Sequence, residues 1–226
     1  MDASILNELL EAQAAKRAVV LATRLSDGIQ KLVYTSDKTQ DSWLVEAVSQ
    51  VLTSDKSRVI TDPQGVEWFL NAFNPPLRMI VIGAVHIAQP LSIMASLAGY
   101  DVTIVDPREA FASPERFPDM TVRCEWPDEA MAALAPDART AVVTLTHDPK
   151  LDDPALVAAL NSPCFYIGAL GSKKTHGSRI ERLKAQGFND QALSRIHGPI
   201  GLNIGGKSPA EIAISIMGEI TSVLRQ

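Results

Sequence analysis

Cysteine is scarce in this chain of 226 residues: Cys124 and Cys164 are the only two. They lie far apart and lack metal-ligand spacing, so neither a disulfide framework nor a cysteine-built metal cluster is in prospect. Both read as buried structural thiols, and so low a count suits a reduced, cytoplasmic compartment. Long apolar runs are missing as well, and no segment is long enough to span a bilayer. The first residues, MDASILNELLEAQAAKR, form an acidic amphipathic pattern with neither the basic start nor the apolar core of a signal peptide. Positive charge is in deficit. Lys and Arg number 21 against 26 Asp and Glu, and the net charge of −5 argues against a general binder of nucleic acid or of an anionic membrane. There are no internal repeats and no low-complexity segments.

What is present is ordinary for a globular protein, with 46% hydrophobic and 21% charged residues. The length suits one large domain or two small ones. Residues 4–16 read as a helix with Ile5, Leu6, Leu9 and Leu10 on one face. Ala18–Leu25 and Ile29–Thr35 read as strands joined by the turn Ser26-Asp27-Gly28. A helix over Trp43–Leu52 and strands at Arg58–Ile60 and Val66–Phe73 complete a small α+β unit, residues 1–74. Pro75-Pro76 breaks the pattern. From there to residue 226 strands and helices alternate. Leu77–Ile82 is a continuous apolar strand of the kind buried on both faces of a parallel sheet. Further strands are expected at Val102–Val105, Thr121–Arg123, Thr140–Thr146 and Cys164–Ile167. Helices are expected over His86–Ala98, 128–134, 153–160, 174–186 and 208–224. This is the pattern of an α/β, Rossmann-like, doubly wound parallel sheet.

Three loops carry residues capable of chemistry. The first is Gly168-Ala-Leu-Gly171-Ser172, which opens a helix bearing Lys173, Lys174 and Arg179. A helix start offers unpaired N–H groups and the positive end of a dipole, glycines allow close backbone approach, and cations add charge. It reads either as an anion or phosphate site or as a plain strand–turn–helix with a solvated basic face. The second is the turn Gly83-Ala84-Val85-His86-Ile87-Ala88, with Asp106 ending the next strand 23 residues after Gly83, where a ribose-binding acid belongs. Val85 stands where the dinucleotide fingerprint needs glycine. The turn can equally serve packing alone, with Asp106 capping Pro107-Arg108. The third is Thr144-Leu-Thr146-His147-Asp148-Pro-Lys-Leu-Asp152, at the carboxyl end of a parallel strand. There His147 either donates to a ligand or holds the loop. A further Gly-rich stretch, Gly198 to Gly206, precedes the capping box Ser208-x-x-Glu211, with Pro209 at the first helical position. Its glycines suit close approach to a ligand or to another strand.

These blocks together resemble the XdhC/CoxI family of xanthine dehydrogenase accessory proteins. VIGAVHIAQPL (81–91) is similar to the family's Gly-Ala-Gly-His-Val-Ala turn. VDPREAFASPERFPD (105–119), THDPKLD (146–152), YIGALGSKKTHGSRIERL (166–183) and GLNIGGKSPAEIAISI (201–216) follow in family order. The resemblance runs from about residue 77 to 224. It departs in two places. Residues 1–74 lack the family's Gly-Gly-Cys-x-Glu motif, and Val85 replaces the fingerprint glycine.

The resemblance implies a factor that binds molybdenum cofactor (molybdopterin), protects it during sulfuration and hands it to an apoenzyme, a chaperone more than an enzyme. Its implied partners are a cysteine desulfurase and a molybdenum hydroxylase of the xanthine or carbon monoxide dehydrogenase type, with a homodimer as the implied assembly. The cofactor phosphate is expected at Gly171, Ser172, Lys173 and Lys174, with Arg179 near. Gly201, Asn203 and Gly205 are expected to approach the pterin, together with Thr146, His147 and Gly168. Gly83, His86 and Asp106 are the expected contacts in the first turn. Two other readings stay open: an NAD(P)-dependent oxidoreductase and a ligand-free scaffold.

Overall fold

The computed structural model describes residues 2–37 and 42–225. The chain divides into two compact units, Met1–Pro75 and Pro76–Gln226. In the first, α1 (Ala3–Ala14) starts at Asp2, whose carboxylate accepts from the Ser4 N–H at 3.1 Å. An aspartate cap satisfies one of the free N–H groups of a helix start. β1 (Val19–Arg24) and β2 (Gln30–Val33) form a hairpin. α2 (Ser42–Ser54), β3 (Arg58–Thr61) and β4 (Glu67–Phe73) follow. The antiparallel sheet has the order β2-β1-β4-β3. Leu44, Val48 and Val51 recur at helical spacing on α2 and pack with Val20, Ala22 and Leu70 of the sheet.

The second unit is built on β5 (Leu77–Ile82), β6 (Tyr100–Val105), β7 (Thr121–Arg123), β8 (Thr140–Thr144), β9 (Tyr166–Ala169) and β10 (Ile196–His197). Its helices are α3 (Ala88–Leu97), α4 (Pro127–Leu134), α5 (Pro149–Leu160), α6 (Lys173–Ala185), α7 (Asp190–Leu193) and α8 (Pro209–Arg225). All six strands are parallel, in the order β10-β9-β8-β5-β6-β7. This is the Rossmann order, and its direction reverses between β5 and β8.

Period-two alternation explains the double winding. Met79, Val81, Ile104 and Val143 face one layer, packed with Leu91 of α3 and Ile216 and Ile220 of α8. Ile80, Ile82, Val142 and Ile167 face the other, packed with Met131 of α4, Leu156 of α5 and Leu183 of α6. Each such fully buried aliphatic side chain contributes about 1.5–3 kcal/mol.

The structure moves several expected boundaries. β9 lies two residues later than Cys164–Ile167, because its pairing with β8 runs from Ala141↔Tyr166 to Thr144↔Ala169. Gly168 is therefore a strand residue, not part of the turn. α5 begins at Pro149 rather than 153. Asp148 caps it by accepting from the Lys150 N–H at 2.9 Å, and Pro149 suits the first position. α3 starts at Ala88, leaving His86 in the turn before it. α7 and β10 were not expected. α7 begins at an Asn189 cap that accepts from the Ala192 N–H. Cys164 is buried, but Cys124 is exposed, against the expectation of two buried thiols.

Gly83 ends β5 with φ +103°, and a Cβ there would lie 2.5 Å from Thr146 Cγ2. Gly83→Ala combines backbone strain with overpacking and should cost about 2–4 kcal/mol. A urea unfolding curve measures it as a lowered midpoint.

Candidate functional site

Parallel strands place every carboxyl end on one edge, so the loops carrying the expected site residues gather there. They do not form one site. The β5 turn is closed: Gly83 and Ala84 are buried, and Gly83 abuts Thr146. Val85 is half-buried in the core layer of α3, and His86 points to solvent as an exposed residue.

Asp106 is fully buried and committed to its neighbours. It accepts from the Ala84 N–H at 2.8 Å and the Arg108 N–H at 3.0 Å. The Arg108 guanidinium grips both of its oxygens, at 2.8 and 2.7 Å. Burial alone pushes the Asp106 carboxyl up, but the Arg108 and Ala84 hydrogen bonds outweigh it and hold the pKa below the usual range. These bonds leave little of Asp106 for a ribose. It fastens the end of β6 to the first turn.

The β8 loop is a second fixed structure. Thr146 donates to Asp152 through its backbone at 3.3 Å and its hydroxyl at 2.7 Å. His147 is exposed, with φ +64°. Asp152 lies 3.7 Å from Arg179, and both residues are 1% exposed. Arg179 is thus not part of a basic surface. Its Nη2 donates to the Leu170 carbonyl at 2.8 Å and so ties the β9–α6 turn in place. Burial raises the Asp152 pKa and lowers that of Arg179, although the pair opposes both shifts. Asp152 Oδ2, Arg179 Nε and Nη1, and Nδ1 of neighbouring His176 are buried without a hydrogen bond among the described residues. The pair is therefore a costly tether, and removing one partner would strand the other charge.

The third region is open. Ser172 caps α6, accepting from the Thr175 N–H at 3.1 Å. Gly171 precedes it with φ +148°. Opposite runs the loop from Pro199 to Gly206, which enters α8 through the capping box. There Glu211 accepts from Lys207 and Ser208 N–H at 2.8 and 2.9 Å. Between them lies a cleft of about 470 Å³ lined by Leu170, Gly171, Lys173, Ile200, Gly201, Leu202, Asn203, Ile204 and Gly205, among others. It unites five of the expected residues: Gly171, Lys173, Gly201, Asn203 and Gly205. Lys174 is exposed on α6 but does not line it. Gly168 lies under it in β9, where a Cβ would fall 2.4 Å from Ile200.

Two other recesses differ in chemistry. A groove of about 820 Å³ runs along α5 and carries Asp128 and Asp153 but no cation. A smaller one of about 200 Å³ lies beside Arg108, Trp126 and Lys150. Among the described residues no group of three His, Cys, Asp or Glu side chains is placed to hold a metal ion, and no helix is long and apolar enough to cross a membrane.

The XdhC Rossmann domain model matches residues 79–220, which hold all three regions. The chain belongs to the XdhC family. Within it, the chain is 31% identical over 160 residues to the molybdenum cofactor insertion chaperone PaoD of Escherichia coli K12, covering 69% of this chain and 44% of PaoD. It is 29% identical over 159 residues to a probable xanthine dehydrogenase subunit of Bacillus subtilis 168, covering 70% and 46%. It is 30% identical over 155 residues to the uncharacterized protein YqeB of Escherichia coli K12, covering 69% and 29%. This XdhC chain thus spans less than half the length of these curated relatives. Its fold is also that of a crystal structure of a xanthine dehydrogenase from Bacillus halodurans, with a TM-score of 0.71 and 22% identity over 97% of this chain and 63% of that one.

The sequence reading missed Ile200, Leu202 and Ile204 as cleft walls and Asp152 as the partner of Arg179. Asp152 stood in the THDPKLD block, but nothing in one dimension set it beside α6. The Asp106–Arg108 contact sets an acid limit. A carboxylate with a lowered folded pKa stabilises above its unfolded pKa of about 3.9 and loses that contribution as pH falls through the folded value. Arg108→Met leaves burial less opposed and raises the Asp106 pKa. The urea midpoint of the variant should lie below the parent's at neutral pH and fall less than the parent's below about pH 4, so that the two converge in acid. At pH 7 the loss should be about 1 kcal/mol, given the partial exposure of Arg108.

Proposed function

We propose that this chain holds molybdenum cofactor in the cleft between the start of α6 and the 199–206 loop, and serves the maturation of a molybdoenzyme. The observation that carries the reading is the cleft itself. It sets Lys173 and a helix N-terminus opposite a glycine-rich backbone with apolar side chains at its edge. Molybdopterin needs those features: a site for one phosphate, close backbone donors and acceptors for the edge of a pterin, and apolar contact for its ring. A volume of about 470 Å³ falls within the range of small-ligand sites. Lys173 and the first α6 N–H groups take the phosphate. Asn203 and the backbone around Gly201 and Gly205 bind the pterin edge, while Ile200, Leu202 and Ile204 cover its faces. The cofactor, when bound, supplies the molybdenum centre that the client enzyme uses; the residues of this chain hold it, shield it from water and release it.

Similarity to PaoD supports the insertion role. The client is then a molybdenum hydroxylase apoenzyme of the xanthine or carbon monoxide dehydrogenase type. A cysteine desulfurase acts on the held cofactor, in the cytoplasm, and the protein works as a homodimer. His147 at the edge of the β8 loop is a lesser candidate for contact. The Rossmann strand order favours a second reading, NAD(P) binding. The buried Gly83 turn, the committed Asp106 and Val85 weigh against it.

The test is the pterin content of protein purified from a cofactor-overproducing host, read after acid oxidation to a fluorescent pterin. Near-stoichiometric pterin is expected. Lys173→Gln should lower retention about tenfold, the loss of one charge-assisted contact. Lys174→Gln should change it less than about twofold, since an exposed charge outside the cleft is screened. An empty wild-type protein, or equal effects of the two substitutions, would overturn the assignment.

A further inference from the structure

One acidic side chain outside every expected motif bonds the cleft wall at Gly201. Glu219 lies on α8 with its side chain 16% exposed. Its Oε2 accepts from the Gly201 N–H at 2.8 Å and from the Tyr166 O–H at 2.5 Å. Its Oε1 faces His197 Nδ1 at 3.4 Å. The His197 ring stacks on Tyr166 with centroids 4.7 Å apart. Tyr166 is 1% exposed, and burial together with the adjacent carboxylate pushes its pKa far up, so its phenol remains a donor. Groups from β9 and β10 therefore aim the carboxylate, and the remaining bond goes to the loop.

Gly201 is the point where the loop leaves β10 and meets α8. It has φ +92°, and a Cβ there would lie 2.4 Å from Ser215 Oγ. Leu202 donates to the Ser215 carbonyl at 3.1 Å. Beyond it the backbone N–H groups of Asn203 and Gly205 make no hydrogen bond among the described residues. The next anchor is Glu211, at Lys207 and Ser208. The stretch that faces Lys173 across the cleft is thus held at its two ends by carboxylates of one helix.

We propose that Glu219 is a positioning residue: by holding the Gly201 N–H it sets the 201–206 wall at the distance from Lys173 that a flat, phosphate-bearing ligand requires. The proposal rests on the cofactor reading of the cleft and assigns Glu219 no contact with the ligand. The experiment is amide hydrogen exchange by NMR on the ligand-free protein, paired with the rate of pterin release. In the wild type the Gly201 amide should exchange at least about tenfold more slowly than those of Asn203 and Gly205. Glu219→Ala should remove that difference, leave β5 and β8 amides unchanged and speed pterin release about fivefold or more. Glu219→Gln retains an oxygen able to accept both bonds and should restore both readings.

Gly201 protection that survives Glu219→Ala overturns the proposal, as does failure of Glu219→Gln to restore it, or release unchanged in Glu219→Ala. Should Glu219→Ala not fold, the wild type decides: a Gly201 amide as fast as that of Asn203 overturns it. A wild type without pterin brings down the cofactor reading alone, and the exchange comparison still decides the role of Glu219.

Discussion

A strand buried on both faces has only its two edges left for hydrogen bonding, and in a parallel sheet its neighbours must run the same way. β5 and β8 meet this condition with buried, mainly aliphatic centres, Met79–Ile82 and Ala141–Val143. Every loop after a strand then emerges on one edge, and every helix returns across a face. The collection of Gly83, Asp106, Thr146, Gly171 and Gly201 at that edge follows from strand direction alone. Their division into closed and open regions does not.

Glycine and buried charge make that division. At the β5 turn, a missing Cβ lets Thr146 press against Gly83, which packs the β8 loop onto the turn where a Rossmann fold commonly admits a dinucleotide. At β9, Gly168 lets Ile200 descend onto the strand, and this brings the last loop close to the start of α6. The same atomic absence thus packs one turn and builds the wall of a cleft. Arg179 and Asp152 fasten the intervening turns from beneath. Such a pair is a poor source of net stability, since desolvating both charges offsets their attraction. Its effect is on register: the Leu170 carbonyl is held, and with it the α6 start that presents Lys173.

Polar groups in this unit divide the same way. Asp106 and Glu219 are acids whose oxygens serve neighbouring backbone N–H groups. Lys173 stands at the cleft with no such commitment among the described contacts. An anion entering the cleft meets a cation and a helix start, while the adjoining acids are engaged, Glu219 by Tyr166, Gly201 and His197 and Glu211 by the Lys207 and Ser208 N–H groups.

Much of the fold was legible in one dimension. A run of apolar residues marked β5, the β-branched stretch at Thr140–Thr146 marked β8, Pro75-Pro76 marked the change of rhythm, and Ser208-Pro209 with Glu211 marked the start of α8. Boundaries were missed where pairing overruled local pattern, as when β8 drew Gly168 into β9. The short α7 and β10 were missed because two- and four-residue elements carry no period. Within the site, Gly171, Lys173, Gly201, Asn203 and Gly205 were readable as glycine-rich loops and charge. Arg179 was misread as surface because a cation on a polar helix gives no sign of burial. By itself the sequence determined the parallel sheet, the glycine turns and the family, because these rest on local period and ordered motifs. Only the tertiary structure decided which turn stays open, because that depends on residues about 60 positions apart in the chain meeting within a few ångströms, as Gly83 and Thr146 do.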